Sequence, residues 1–555
     1  MQRAFGTIAV LLVLLAPGAT AREHIRINQL GYVPDDPKVG RLLAYEDHTG
    51  RPFRVVRAAD AVTVLEGTIG PSTGAWGSFG YTHTLDFTAL HRNGWFRVVV
   101  GDTRSASFAI ATPPYASIAQ TLLDFFGVQR CGDTDPTLHR ACHPEDGREI
   151  EGQYIGSYDL TGGWHDAGDY TKFLTTASYA AYLLMLTEEI RPGIAGDEDR
   201  NGRSDLLDEA RVGVDWCLRL QYAPGRYVRQ VQDNRDHAVG WRLPENDPLF
   251  RNRPAFEGVG RSHLGRLAAA LACAARAYAP SEPAWAESCR IAAEEAYAAA
   301  ESAPPLIECE SYRDTSWLDK MALGAIELYR TTGEPRYLDD ARRHADEAGP
   351  GYWLNWAKLN GLAHARLAPW HAASIEALEK DLIAYQRQSE AHPWGMAGTE
   401  TWGTTLIVAG AAIEALLFEQ LTGRADYAPL AFTQRDFLFG TNPWGVCFVG
   451  GLGAVYPRDF HHQVARLTRR GWLHGAVTEG PAPPAVVAEQ QIRLADTDEY
   501  AEFQSERGVY HDDRNDYVTN EPTLSANAMA ELLMALFEAR QAPDRTSPTA
   551  NASRP

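Results

Sequence analysis

From Glu23 to about Pro113 the chain runs in short apolar stretches broken by Gly, Asp and Asn turns. Ile25–Ile27, Val39–Tyr45, Phe53–Val56, Val62–Leu65 and Trp95–Val100 have the composition and length of half-buried strands, and their spacing predicts a β-sandwich of roughly 90 residues. After Pro113-Pro114 the period lengthens. Apolar residues recur every three to four positions over 117–126, 172–189, 204–220, 263–278, 285–303, 317–331, 336–348, 374–389, 404–421, 427–439 and 526–542, which predicts one large all-α domain with almost no strands. The domain expectation is therefore a sandwich over 22–113 and a helical domain over 114–542. The two ends read differently. Arg3 precedes the apolar run Ile8–Leu15 and the small residues 17–21, so residues 1–21 are expected to be a signal peptide and the product secreted or periplasmic. Residues 543–555, rich in Pro, Ser and Thr, are expected to be a disordered tail.

With 45% hydrophobic and 22% charged residues the chain has globular proportions, which excludes disordered and fibrous classes. Its net charge of −20 repels phosphate backbones, so nucleic acid is not an expected partner and the substrate is expected to be neutral or basic. No stretch after the leader has the unbroken apolar length of a spanning helix, so no membrane partner is expected either. Seven cysteines are too few for a disulfide scaffold of this size, and the number is odd. Cys273 and Cys289, on successive helical stretches, read equally as a pair or as buried free thiols.

The candidate chemistry lies in two acidic segments, each just before a helix. Gly162-Gly163-Trp164-His165-Asp166-Ala167-Gly168-Asp169-Tyr170 sets two aspartates on a tight turn where both point into one cavity; helix capping by Asp169 is the alternative. The second runs from Tyr510 to Glu521, with aromatics suited to stacking on sugar rings. Hydrolysis of a glycosidic bond needs one carboxylic acid to protonate the departing oxygen and one carboxylate to activate water. Glu521 fits the acid and Asp169 the base. Trp402, Trp444, Tyr510 and Tyr517 could line sugar subsites, but each reads more readily as core, so only Tyr517 is singled out as a substrate contact.

The 162–170 loop resembles the base-bearing loop of glycoside hydrolase family 9, the inverting cellulases. The C-terminal stretch is similar to that family's acid signature at Tyr510, Asp512, Tyr517, Glu521, Thr523, Asn527 and Ala528. Segments 201–211 and 439–443 are also similar to family members, and 25–32 resembles the immunoglobulin-like domain that often precedes the catalytic one. The resemblance implies an (α/α)6 barrel behind a small immunoglobulin-like β-sandwich. It makes Asp169 the base, Asp166 its partner in holding water and Glu521 the acid, and inversion asks for acid and base roughly 6.5–9.5 Å apart. The implied activity is inverting endo-cleavage of β-1,4-glucan by a monomer acting on a β-linked oligo- or polysaccharide. His461 and Gln463 fall on the family's substrate-reaching positions, but Gln463 stands where the family has arginine, and Ala526 where it usually has an aromatic. Those departures keep two alternatives open: an exo-acting β-glycosidase (glucosidase, cellobiosidase or glucosaminidase) and a catalytically silent carbohydrate-binding protein.

Two metal sites complete the expectations. Cys131, Cys142, His143 and His165 form a Cys2His2 set, read from spacing as zinc ligands or as a Cys131–Cys142 disulfide. The resemblance favours structural zinc, because members with the immunoglobulin-like domain often carry one with a histidine directly before the first catalytic aspartate. Asp197, Asp199, Asn201, the Arg203 carbonyl, Asp205 and Asp208 fall at positions 1, 3, 5, 7, 9 and 12 of a calcium-type loop, with Gly202 at the turn.

Overall fold

The structure, a computed structural model, describes residues 23–541 except 112–113, 136, 152, 155–157, 310 and 469–472. The expected signal peptide, the Pro113 boundary and the 543–555 tail lie outside the described residues.

The first domain is two antiparallel sheets. One orders β1 (His24–Arg26), β2 (Val39–Ala44), β6 (Phe79–Asp86) and β5 (Ser72–Trp76) as β1-β2-β6-β5; the other runs β4 (Thr63–Thr68), β3 (Pro52–Arg57), β7 (Gly94–Val100) and β8 (Thr103–Arg104), with β9 (Phe108–Ile110) also on β7. Alternate residues turn inward, as a strand's two-residue period requires, so Leu42 and Ala44 of β2, Phe53 and Val55 of β3, Leu85 of β6 and Phe96, Val98 and Val100 of β7 share one core. β5, β6, β8 and β9 escape the hydrophobic reading. β6 buries Thr82 and His83 as well as Phe79 and Leu85, so its apolar signal is diluted.

Among the described residues twelve helices are eight residues or longer: α1 (Tyr115–Gln129), α2 (Leu174–Ile190), α3 (Asp205–Arg219), α5 (Arg261–Tyr278), α6 (Pro283–Ala299), α7 (Leu318–Thr332), α8 (Pro335–Ala348), α9 (Asn360–Leu367), α10 (Ala372–Ala391), α11 (Thr404–Thr422), α12 (Ala428–Leu438) and α15 (Leu524–Gln541), with α4 (Arg235–Ala238), α13 (Gln463–Leu467) and α14 (Pro484–Glu489) as short turns between them. Every second one packs on the next in a closed circuit, α2–α5–α7–α9–α11–α15–α2. The remaining six lie outside that circuit. The division follows from composition. α2, α11 and α15 are buried on nearly every side, whereas α8 (PRYLDDARRHADEA) buries only Tyr337, Ala341, His344 and Ala345. A helix apolar all round belongs inside, and one with a single apolar stripe belongs on the wall. α11 is also long and apolar enough by composition to cross a membrane, but most of it is buried in the circuit.

Two expectations need correction. α9 lies in a stretch read as loop, because at 8 residues it is too short to establish a period. The helical domain also holds a small sheet made of β10 (Glu149–Ile150), β11 (Gln153–Tyr154), β12 (Lys172–Phe173), β13 (Gln221–Ala223), β14 (Arg226–Val231) and β15 (Ala255–Glu257). β12 leads directly into α2, and its pairing with β14 ties down the end of the 162–170 loop.

The sandwich docks firmly on the helices. Asn28 Nδ2 donates to Asp436 (2.8 Å), Gln29 N to the Phe439 carbonyl (2.9 Å), Arg26 Nε to the Pro443 carbonyl (3.1 Å) and Trp76 Nε1 to the Phe503 carbonyl (2.8 Å). Beneath them Arg435 pairs with Asp36 at 2.6 Å, both fully buried.

Candidate active site

At one end of the helical circuit, loops from distant parts of the chain enclose a cleft of about 1120 Å³. Asp166, Asp169, His461, Gln463, Tyr517 and Glu521 all line it. Sequence positions more than 350 apart thus meet, and the closest link is direct: the Gly168 N–H donates to Glu521 Oε1 at 2.9 Å. A Cβ at Gly168 would run into that carboxyl and into the His461 carbonyl, so the two acidic segments approach this closely only because glycine separates the aspartates' loop from them.

The three carboxyls sit in different surroundings. Asp169 Oδ2 faces His237 Nε2 at 2.8 Å, and its Oδ1 accepts from Thr171 N (2.8 Å) and Thr171 Oγ1 (2.5 Å). Burial works against its charge, but the histidine and the hydroxyl outweigh it and hold the pKa down to about 2. Asp166 is fully enclosed, accepting from Thr176 and from the Tyr312 hydroxyl. Burial lifts it to about 7 in spite of those donors. Glu521 is raised well above the ordinary carboxyl value, first by burial and then by the negative Asp169, with the Gly168 amide only partly offsetting them. The surroundings thus favour the charged form of Asp169 and the protonated form of Glu521. The capping reading of Asp169 does not hold, since its side chain serves Thr171 and His237 and the cap of α2 is Phe173.

The predicted substrate contacts separate. His461 donates from Nδ1 to the Arg514 carbonyl (2.7 Å) and stands edge-on between Trp241 and Tyr517, with ring centres 5.1 and 5.5 Å away. Tyr517 lies 5.9 Å from Trp402, which is 42% exposed at the rim. Gln463 turns inward instead: Oε1 accepts from Arg242 N at 3.1 Å and Nη1 at 3.2 Å, and Nε2 faces Asp236 at 3.4 Å. Trp444 and Tyr510, for which core is the favoured reading over sugar platform, are core residues with no exposed face. A full-sized ring whose neighbours are Trp76 and Phe448 is packing, and sequence composition does not separate it from a platform.

Several lining or supporting residues carry no sequence signal. Tyr312 reaches Asp166 from a left-handed backbone conformation (φ 53°), a strained placement for an aromatic residue that aims its hydroxyl into the cleft. Trp241, Trp356 and Glu479 line the cavity from three other loops. Gln129, at the end of α1, donates to the carbonyls of His165 (3.1 Å) and Ala167 (2.6 Å) and bonds His462 Nε2 through Oε1 (2.7 Å), joining the aspartate loop to the His461 segment. No periodicity or motif marks these residues, because each acts alone.

Behind the aspartate loop Cys131, Cys142, His143 and His165 are buried together, one ligand atom from each within 4.8 Å of the others. Cys131 Sγ lies 3.7 Å from His143 Nδ1, His165 Nε2 3.1 Å from that nitrogen and 3.9 Å from Cys142 Sγ. Edges of a zinc tetrahedron with nitrogen and sulfur ligands are about 3.3–3.8 Å. His143 Nε2 meets Asp247 at 3.2 Å, which leaves Nδ1 as the ligand atom, and Lys172 Nζ reaches Cys131 Sγ at 3.5 Å. Cys131 and Cys142 are free thiols, so the disulfide alternative is not formed; Cys273 and Cys289 are likewise unpaired. The 197–208 loop turns at Gly202, and Asp197 and Asp199 accept from Asn201 N (3.0 Å each) while Asp205 accepts from Glu198 N (3.0 Å). Asp208 is paired with the Arg203 guanidinium, which also reaches Glu282.

Comparison with known proteins places these features. Residues 115–534 match glycosyl hydrolase family 9, and residues 20–105 match the cellulase N-terminal ig-like domain. The chain is 26% identical to Endoglucanase C of Cellulomonas fimi over 91% of its own length, spanning about half (51%) of that longer protein. It is 26% identical to the xyloglucan-specific endo-beta-1,4-glucanase BoGH9A of Bacteroides ovatus, covering 96% of this chain and 97% of that one. Among solved structures, a metagenome-derived family 9 endoglucanase superposes with TM-score 0.80 at 28% identity over 93% of this chain and 99% of that one. A zinc-binding triple mutant of the family 9 endoglucanase J30 does so with TM-score 0.79 at 27% identity over 91% and 99%. With a catalytic-domain match over most of its length and an ig-like domain before it, this chain belongs to glycosyl hydrolase family 9.

Proposed function

We propose that the protein is an extracytoplasmic cellulase that cleaves β-1,4-linked glucan internally, with inversion, by general acid and base catalysis. The observation that carries the reading is the opposed protonation of Asp169 and Glu521 across one aromatic-lined cleft. Glu521 gives its proton to the glycosidic oxygen as the bond to the anomeric carbon breaks. A water attacks that carbon from the other face and passes a proton to Asp169, so the glycone leaves with a new hydroxyl of inverted configuration and the aglycone with the proton from Glu521. Asp166, sharing its carboxyl with Tyr312 and Thr176, orients the same water. His461, Tyr517, Trp402 and Trp241 offer edges and faces to the sugar rings, and Gln463 acts from behind by holding Arg242 and Asp236 in place.

The closed circuit of six inner helices with six outside is read as an (α/α)6 barrel, and residues 1–21 as the signal peptide that exports it. Zinc held by Cys131, Cys142, His143 and His165 belongs to the same reading: buried, with four ligands and no open position, it would cross-link the end of α1 to the residue before Asp166 and take no part in the reaction. Calcium at 197–208 would brace the start of α3; it requires Arg203 to release Asp208. On cello-oligosaccharides, Glu521→Gln and Asp169→Asn are each expected to lower kcat by about 10²–10⁴ with KM little changed. Near wild-type turnover in either variant would remove that residue from its role.

A further inference from the structure

The cleft is lined by two acidic groups beyond the three the reaction uses: Asp236, which is paired with Arg242 at 2.5 Å, and Glu479. Glu479 lies on the segment that pairs with the acid-bearing strand: its N–H donates to the Glu521 carbonyl at 2.9 Å, and Thr478 bridges Pro522. Its side chain turns into the cavity beside Asp166 and Glu521. The residue is only 7% exposed, Oε1 accepts from Thr523 Oγ1 at 2.8 Å, and Oε2 has no hydrogen-bond partner among the described residues. Among the described residues no lysine, arginine or histidine pairs with it. Of the cleft's own basic groups, His237 is engaged by Asp169 and His461 by the Arg514 carbonyl, and Arg493 lines the cleft without an ion pair to Glu479.

A nearly buried carboxyl with a free oxygen, facing a cavity and lacking a counter-ion, is costly unless something that enters the cavity supplies the charge. A neutral glucan brings only hydroxyls. A sugar bearing a primary ammonium would form a charge-assisted hydrogen bond with Oε2 from within the cleft. The molecule's net charge of −20 favours the approach of such a cation. Burial and the neighbouring Asp166 hold Glu479 near pH 7, at about 7, so an arriving ammonium ionises it at little cost.

Resting on the hydrolase reading above, we propose that Glu479 is an ammonium-binding specificity residue and that the substrate class includes β-linked oligosaccharides carrying a free amino group on a ring next to the scissile bond, such as glucosamine oligomers. The test compares kcat/KM on cellotetraose and on the β-1,4 glucosamine tetramer for wild type and Glu479→Gln, whose amide carbonyl still accepts from Thr523. Binding of both tetramers to Glu521→Gln and to the double variant Glu521→Gln/Glu479→Gln is measured by calorimetry. Wild type is expected to prefer the amino-sugar tetramer, and Glu479→Gln to lower the amino-to-neutral ratio of kcat/KM at least tenfold, with the same loss in binding ratio. A ratio unmoved by the substitution, or a glucosamine tetramer neither cleaved nor bound, overturns the proposal while cleavage of cellotetraose keeps the hydrolase reading. If neither tetramer is cleaved, the hydrolase reading fails, and the binding ratio alone decides for or against Glu479.

Discussion

Asp166 and Asp169 are separated by two residues and by a pKa difference that their sequence does not contain. Asp169 is held down by a histidine from a different loop, and Asp166 is held up by burial that its two hydroxyl donors do not offset. His237 is therefore part of the base. Replacing it with glutamine removes the leading contribution that lowers Asp169, so the acid limb of kcat/KM against pH is expected to move upward, while the alkaline limb, set by loss of the Glu521 proton, stays in place. A profile that shifts on its alkaline side instead would assign His237 to the acid. Asp166, Asp169 and Glu521 were legible in the sequence because each lies in a contiguous motif whose spacing is itself the signal. His237, Tyr312 and Gln129 were not, since each is one ordinary residue brought in by a loop whose course depends on the whole circuit of helices.

At the scale of elements, the same contrast separates helices from strands. α2, α5, α7, α11 and α15 were legible because long buried helices repeat their signal over several turns, whereas β5, β6 and the two- and three-residue strands of the small sheet depend on partners remote in sequence. The inner helices also carry a cost that periodicity hides. Glu531 in α15 is completely buried with neither carboxylate oxygen hydrogen-bonded, and burial raises it well above its ordinary value. The folded chain keeps that proton and the unfolded chain releases it. The contribution is thus whole below the unfolded value near 4.5 and is lost as pH rises toward the folded one, at up to about 1.4 kcal/mol per pH unit. Relative to wild type, Glu531→Gln is expected to gain stability between pH 5 and pH 8, measured by denaturant unfolding; an equal difference at both values would contradict it. The Cys2His2 element predicts a local effect. Cys142→Ala is expected to increase hydrogen exchange across 131–165 and to lower kcat through the Asp166–Asp169 loop, with exchange in α8 and α10 unchanged. Protection left intact in that segment would mean that the cluster does not clamp it.

The sandwich and the helical circuit behave as one molecule because charged groups are buried between them. Arg435 is shared by Asp36 of the first domain and Asp436 of the second, at 2.6 and 2.8 Å, with the Tyr115 hydroxyl at 2.7 Å. Arg435→Met leaves two buried carboxyls without their cation and is expected to cost about 3–5 kcal/mol. Calorimetry of the wild type should show one transition, moved down as a unit in the variant; a helical domain unchanged while the sandwich melts alone would show the two to be independent. The proposed reaction rests on a single chemical arrangement, an acid at Glu521 and a base at Asp169 in one cleft. The most direct test is proton NMR of cello-oligosaccharide cleavage recorded before mutarotation. The account predicts that the new reducing ends appear first as the α-anomer, inverted from the β-linkage, and a first product in the β configuration would contradict it.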